Sequence, residues 1–300
     1  MKLVKVAAAV SLCSLVFATG NLSAASQTPD KVMMQISKAL QNNHPEVVFK
    51  ALPASYQKDI NNLVSDAAKR MDAEVWKAGN DVLKSALKVA KTKKDLLLQS
   101  QMLANNPEKD EISKNWNSAV KMVSTLVNSD FTNLQKLRSA DMEKMLASSG
   151  AAIMRQATSM QSASEIKVKL DKLKSMKATL ISQKGDSAKI KVTAEGEEPE
   201  EVEFVRVEGK WIPKNMADEF SESIKSAHEG LAKLDFSNEN GQKLKKQLLQ
   251  QFSMAKTMLE QAEKAESKEQ LDGILMGMMM SIMMSSQNGA GAPPPGLPSN

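Results

Sequence analysis

The stretch Lys184-Gly185-Asp186-Ser187-Ala188-Lys189-Ile190-Lys191-Val192-Thr193, continued by Val202-Glu203-Phe204-Val205-Arg206-Val207 and Glu208-Gly209-Lys210-Trp211-Ile212-Pro213, decides the fold class of this chain. Ile190 and Val192 alternate with Lys189, Lys191 and Thr193, the period of a half-buried strand. Gly185-Asp186, Gly196 to Pro199 and Glu208-Gly209 read as turns between strands, and Pro213 ends the last one. At Phe204-Val205 the apolar parity shifts, which predicts either a bulge or burial of both faces. Upstream, Ile166, Val168 and Leu170 alternate with Lys167 and Lys169, and Ala178, Leu180 and Ser182 alternate with Thr179 and Ile181. The expectation is an antiparallel meander of three or four strands over about residues 164–213.

Everything else in the chain is helical in period. Thr28-Pro29-Asp30 is a helix start, with Val32, Met33, Ile36, Ala39 and Leu40 as its stripe, and His44-Pro45 ends it. Pro53 opens a second helix carrying Tyr56, Ile60, Leu63, Val64 and Ala67. Three-and-four spacing runs from Val75 to Ala90 and from Ile112 to Val127, with a break at Asn105-Asn106-Pro107. Ser139 reads as the cap of a helix interrupted near Gly150. After the meander, Asn215 reads as a cap, and Met216, Phe220, Ile224, Ala227, Leu231 and Leu234 give the cleanest stripe. Ser267 with Gln270 is a capping-box pattern that opens a last helix. The fold class is therefore α+β, mostly helical, with the meander packed by amphipathic helices. The division expected is a leader over 1–25, a helical region over 26–163, the sheet and its following helix over 164–235, helices over 236–286, and a Gly/Pro-rich disordered tail over 287–300.

The leader sets the compartment. Lys2 and Lys5 precede an apolar run from Val6 to Phe17, and Ser23-Ala24-Ala25 supplies the small residues of a cleavage site before Ser26. The apolar run is about half the roughly 20 residues needed to span a bilayer, so a retained anchor is disfavoured. Lipidation at Cys13 is disfavoured by Leu12 before it. Cys13 is the only cysteine in the sequence and would leave with the leader, excluding disulfides and thiol chemistry from the remainder. A disulfide-free exported chain of about 275 residues points to the periplasm. The net charge is +5 with Lys2 and Lys5 included. The basic patches at Lys91, Lys93 and Lys94 and at Lys243, Lys245 and Lys246 are not interleaved with aromatics in the sequence, so no nucleic-acid partner is expected.

Candidate sites are few. His44 and His228 show no triad order and no metal-ligand spacing. Glu195, Glu197, Glu198, Glu200, Glu201 and Glu203 crowd one hairpin without the alternation of a calcium loop, and an exposed acidic turn is the leading reading. Met276, Met278, Met279, Met280, Met283 and Met284 form the most unusual cluster. Thioethers can hold Cu(I), and apolar residues can lie on a membrane surface, but a plastic packing or partner surface leads because Ile274, Leu275 and Ile282 are mixed in. Tyr56 and Trp211 are candidates to line a pocket for an apolar ligand, with a core role as the plainer account. No cofactor and no catalytic residue is predicted.

The strands that open this section, together with Ala39-Leu40, Asn43, Glu46-Val47-Val48 and Leu52-Pro53, resemble small secreted bacterial domains of the nuclear-transport-factor-two-like, or cystatin-like, superfamily. The shared features are a Gly-Asp turn into alternating strand residues and a final Gly-Lys-Trp. The resemblance implies a bent sheet wrapped by helices and a binding or accessory module. It covers about a third of the chain. Helical segments over 66–164 and after Pro213 have no counterpart in the family, and no enzymatic residue of the family is matched. The reading is a periplasmic binding or scaffolding protein without catalytic activity, with partner or self-association through the methionine helix. The alternative is a hydrolase-like enzyme whose site sequence conceals.

Overall fold

The computed structural model describes residues 27–287 apart from Asn105 and 160–164. The expected leader and the Gly/Pro tail lie outside the described residues. In chain order the elements are α1 (Pro29–Gln41), α2 (Glu46–Ala51), α3 (Ala54–Arg70), α4 (Ala73–Thr92), α5 (Lys94–Gln99), α6 (Gln101–Ala104), α7 (Lys109–Val127), α8 (Leu134–Arg138), α9 (Met142–Met145), α10 (Ala151–Thr158) and α11 (Glu165–Ser175). Then follow β1 (Lys177–Lys184), β2 (Ser187–Thr193), β3 (Glu200–Val207) and β4 (Lys210–Pro213), and finally α12 (Lys214–Ala232), α13 (Glu239–Lys264) and α14 (Lys268–Gln287). The protein is mostly helical with one four-stranded antiparallel sheet, as its sequence predicts.

Two compact units divide the chain. Of the described residues, one takes 27–68 and 129–229, the other 69–128 and 230–287.

The first unit holds the sheet, in the order β1-β2-β3-β4. Ala188 pairs with Phe204 and Ile190 with Val202, so these four residues fall on one face. Met33, Ile36 and Leu40 of α1, spaced for one helical face, meet that side together with Val47, Leu173 and Met176. Ser37 is buried and donates to the Leu173 carbonyl at 2.9 Å, and the Gln41 amide donates to the same oxygen at 2.9 Å, fixing α1 against the end of α11. Glu208 and Gly209 both have positive φ, 49° and 76°, which is why a two-residue turn can join β3 to β4.

Sequence and structure part at several places in this unit. Residues 166–170 are helical, in α11, and the sheet starts at Lys177. The alternation there is short and runs into Leu173 and Met176, both buried, so the helical period of the longer segment prevails over the local one. The pairing of β2 with β3 runs unbroken through Phe204 and Val205, and both faces are partly covered there; the irregular register falls in β1, between Leu180 and Ser182. Val47, Val48 and Phe49, which in sequence read as a short turn between His44-Pro45 and Pro53, form the short helix α2. Asp141, not Ser139, caps α9, because its carboxylate reaches the Lys144 N–H at 3.1 Å. The interruption near Gly150 is a π-helical turn over Leu146–Gly150. Asn215 lies inside α12, whose first turn carries the Lys214–Asp218 ion pair at 2.5 Å.

The second unit is helical. Asp72 caps α4, accepting from the Glu74 and Val75 N–H groups at 2.9 and 3.1 Å, and also receives the Lys245 ammonium of α13 at 2.8 Å. Lys245 beside it, and the two N–H groups, hold the Asp72 carboxyl below its ordinary range despite partial burial. A cluster of Val89, Leu259, Ala262, Ala265 and Leu271 joins α4, α13 and α14, and the Lys93 ammonium donates to the Ala265 carbonyl at 2.7 Å.

Candidate functional site

The methionine helix α14 is built from its first turn outward. Ser267 accepts from the Gln270 N–H at 3.3 Å, and the Gln270 side chain accepts from the Glu266 N–H at 2.9 Å, a capping-box arrangement reaching one residue further back than the usual form. Lys268 pairs with Asp272 at 2.5 Å, and Asp272 also accepts from the Gln101 N–H at 2.9 Å. Those contacts, Lys268 foremost, pull the Asp272 carboxyl below its usual range. With the start fixed, Leu271, Ile274, Leu275 and Met278 pack on the cluster of the second unit. Their spacing is that of one helical stripe.

The same pitch turns Met276, Met279 and Met280 away from the cluster. They are 56%, 49% and 58% exposed. The six methionines therefore separate into roles that sequence does not distinguish: Met278 is a packing residue, and three others form an uncovered apolar face. The side chains of Met283 and Met284 lie outside the described residues. No charged residue occurs in the sequence from Gly273 to Gln287, so this face offers area without electrostatic bias.

A second feature of the same unit is a groove of about 260 Å³ between α4 and α7. Ala90, Lys91, Lys94, Trp116, Asn117, Val120, Lys121 and Ser124 line it. The Trp116 indole N–H donates to the Ala90 carbonyl at 2.9 Å, which holds the ring against α4. The Lys91 ammonium reaches the Ser124 hydroxyl at 3.3 Å. Sequence reading sets the Lys91–Lys94 patch aside because no aromatic is interleaved with it. The aromatic arrives instead from α7, and the available signal was that Trp116, Val120 and Ser124 share a helical face with Asn117 and Lys121.

The remaining candidates are placed as follows. His44 Nδ1 lies 3.1 Å from Glu46 Oε1, a contact between near neighbours in sequence with the imidazole 59% exposed. His228 sits on α12. Trp211 is 2% exposed, with its indole N–H donating to the Gln27 carbonyl at 2.8 Å and the Arg206 guanidinium 4.4 Å from its ring centre. Tyr56 stacks on Phe220 with ring centroids 3.6 Å apart. Burial pushes the Tyr56 hydroxyl up, aided by the charges of Glu208 and Asp218. In the acidic hairpin Glu197 pairs with Lys172, and Glu201 and Glu203 lie 3.3 and 3.7 Å from Lys189. Among the described residues no group of three or more His, Cys, Asp or Glu is placed to hold a metal ion, and no helix is long and apolar enough to cross a membrane.

Compared with family models, curated proteins and solved structures, the chain matches none.

Proposed function

We propose that this chain is an exported binding or scaffolding protein of the periplasm, without catalytic activity, whose working surface is the outer face of α14. The observation that carries this reading is the distribution of exposed apolar side chains. Of the twelve large hydrophobics that stand exposed among the described residues, nine belong to the second unit, and the two most exposed, Met280 and Met276, lie beside Met279 on one helix. Single exposed hydrophobics are ordinary; three at i, i+3 and i+4 on an uncharged helix make a patch. Methionine suits such a patch because its thioether side chain adapts to more than one partner shape. The occupant that fits is an apolar surface of another protein, recognised by area rather than by charge.

The test replaces chemistry while keeping shape. Met276, Met279 and Met280 changed together to leucine conserve apolar volume, whereas serine removes it. A half-exposed methionine has about half of its burial free energy still available, on the order of 1 kcal/mol, so three give about 3 kcal/mol, or roughly a hundredfold in affinity. Native mass spectrometry of each variant purified from the periplasm is expected to show the same associated species for wild type and the leucine variant, and its loss in the serine variant. A serine variant that keeps the full association refutes the reading. Cu(I) bound by wild type and lost in the leucine variant refutes it in favour of a metal site. A self-associated species with the same dependence identifies a second copy as the occupant.

A further inference from the structure

We propose that the groove between α4 and α7 is a binding site for a small phosphate-bearing ligand. This goes beyond the proposed function and does not rest on the methionine face.

Three ammonium groups from three different elements, Lys91 of α4, Lys94 of α5 and Lys121 of α7, line one groove of about 260 Å³. None of the eight lining side chains is acidic. Other lysines of the same unit have an acidic partner, as Lys88 does with Glu263 at 2.7 Å, Lys243 with Glu239 at 2.7 Å and Lys245 with Asp72 at 2.8 Å. An anion that enters the groove therefore meets three ammonium groups and no lining carboxylate. Lys91 alone has a structural account, since it lies in the last turn of α4, where a cation complements the exposed carbonyls. That account does not extend to Lys94, at the start of the next helix, or to Lys121, in the body of α7.

The rest of the lining defines what kind of anion fits. All three cations are lysine and none is arginine. Lysines act as separate point charges that can be set around a tetrahedral, multiply charged group such as a phosphate. The Asn117 amide and Ser124 hydroxyl add neutral donors beside them. Trp116, whose polar edge is already committed to the Ala90 carbonyl, leaves its ring to pack, and Ala90 and Val120 continue the apolar wall. A phosphate carrying a compact apolar or planar substituent satisfies both halves of the groove. Such a group comes from a soluble phosphate ester or from the headgroup of an anionic phospholipid.

The experiment titrates the purified protein with two probes: phenyl phosphate, and vesicles of phosphatidylglycerol in phosphatidylcholine with pure phosphatidylcholine vesicles as the blank. Isothermal titration and the fluorescence of Trp116, isolated by comparison with Trp116→Phe, read the binding. The variants are Lys91→Gln, Lys94→Gln and Lys121→Gln combined, the same three changed to arginine, and a charge-matched control with Lys225→Gln, Lys243→Gln and Lys256→Gln. Circular dichroism confirms that each folds. Saturable binding of phenyl phosphate that weakens at least tenfold in the groove glutamine variant, is kept by the arginine variant and the control, and falls as NaCl rises from about 50 to 300 mM assigns a soluble ligand. The same dependence with phosphatidylglycerol vesicles, and no binding of phenyl phosphate, assigns a lipid headgroup. Binding of neither probe, or equal loss in the groove and control variants, overturns the proposal.

Discussion

Gly241 is the position where a single methyl group should do most damage to the second unit. It is buried in the first turn of α13, and its N–H donates to the Asn238 side chain at 2.8 Å. A Cβ built there would lie 1.8 Å from the Asp235 carbonyl oxygen and 2.7 Å from both the Asp235 carbonyl carbon and the Phe236 Cα. All three are backbone atoms, so no side chain can swing aside. The loop must move by more than an ångström, and its hydrogen bonds move with it: Asp235 Oδ1 accepts from the Ser237 N–H at 2.8 Å, and the Asn238 amide donates to Asp235 Oδ2 at 3.1 Å. Overpacking costs about 1–3 kcal/mol and a lost cap about 1 kcal/mol, against a gain of about 1 kcal/mol for alanine over glycine in a helix. The net expectation for Gly241→Ala is a loss of about 2 kcal/mol, a fall of roughly 1 M in the urea midpoint. Gly230 and Gly273 serve as internal controls, because a Cβ at either meets nothing within 4 Å. Gly230→Ala and Gly273→Ala should be neutral or stabilising by up to about 1 kcal/mol. Urea unfolding followed by circular dichroism and tryptophan fluorescence measures all three. If Gly241→Ala unfolds at the same midpoint as its two controls, the close approach of the loop to α13 is refuted.

Two further predictions concern ionisable groups. Changing His44 and His228 together to alanine should leave any activity found for the protein within about threefold, since a general acid or base typically contributes about 10²–10⁴; a larger loss with the fold intact, measured by a rate assay on the double variant, would favour the enzymatic alternative and point first to the His44–Glu46 contact. The Asp72–Lys245 pair should make the second unit sensitive to acid: the Asp72 pKa is lowered from 3.8 on folding, chiefly by Lys245, so its contribution is present above that value and is lost as pH falls through and below it. Lys245 is shifted upward from 10.5, so its share is present below that value and lost as pH rises through the higher folded one. Melts of wild type and Asp72→Asn between pH 2 and 7 should converge at the acid end, and parallel curves across the range would refute the linkage.

How much of this was legible in the sequence depended on the length over which a pattern repeats. The β2–β3–β4 meander was legible because Ile190, Val192, Val202 and Phe204 alternate between glycine turns that only a hairpin explains. Residues 166–170 misled because five residues satisfy a strand period and a helix period equally, and only Leu173 and Met176, further along, break the tie. The cap at Ser267 was legible from Gln270 three residues on, whereas Asp141 stands near Ser139, another residue able to cap, and the choice there is made by where the backbone N–H groups end up in three dimensions. The methionine cluster was visible, but its division into Met278 within the packing and Met276, Met279 and Met280 outside it required the phase of α14, which Asp272 and Leu271 set through contacts with other helices. Of the α4–α7 groove only the α7 wall left a signal, in the helical face shared by Trp116, Val120 and Ser124; its meeting with the lysines of α4 and α5 is made by a helix pairing that leaves no local signature.

The two surfaces of the second unit answer to different physics, and this separates them experimentally. Association through Met276, Met279 and Met280 depends on apolar area, which added salt does not screen and which strongly hydrated salts strengthen. An anion at Lys91, Lys94 and Lys121 depends on charge, which is screened beyond about 8 Å at physiological ionic strength. A single salt series on the intact protein therefore resolves both: partner association should hold or rise while phosphate binding falls. Were both to fall together, the methionine face would have to be acting through charge, and from Gly273 to Gln287 the sequence supplies none.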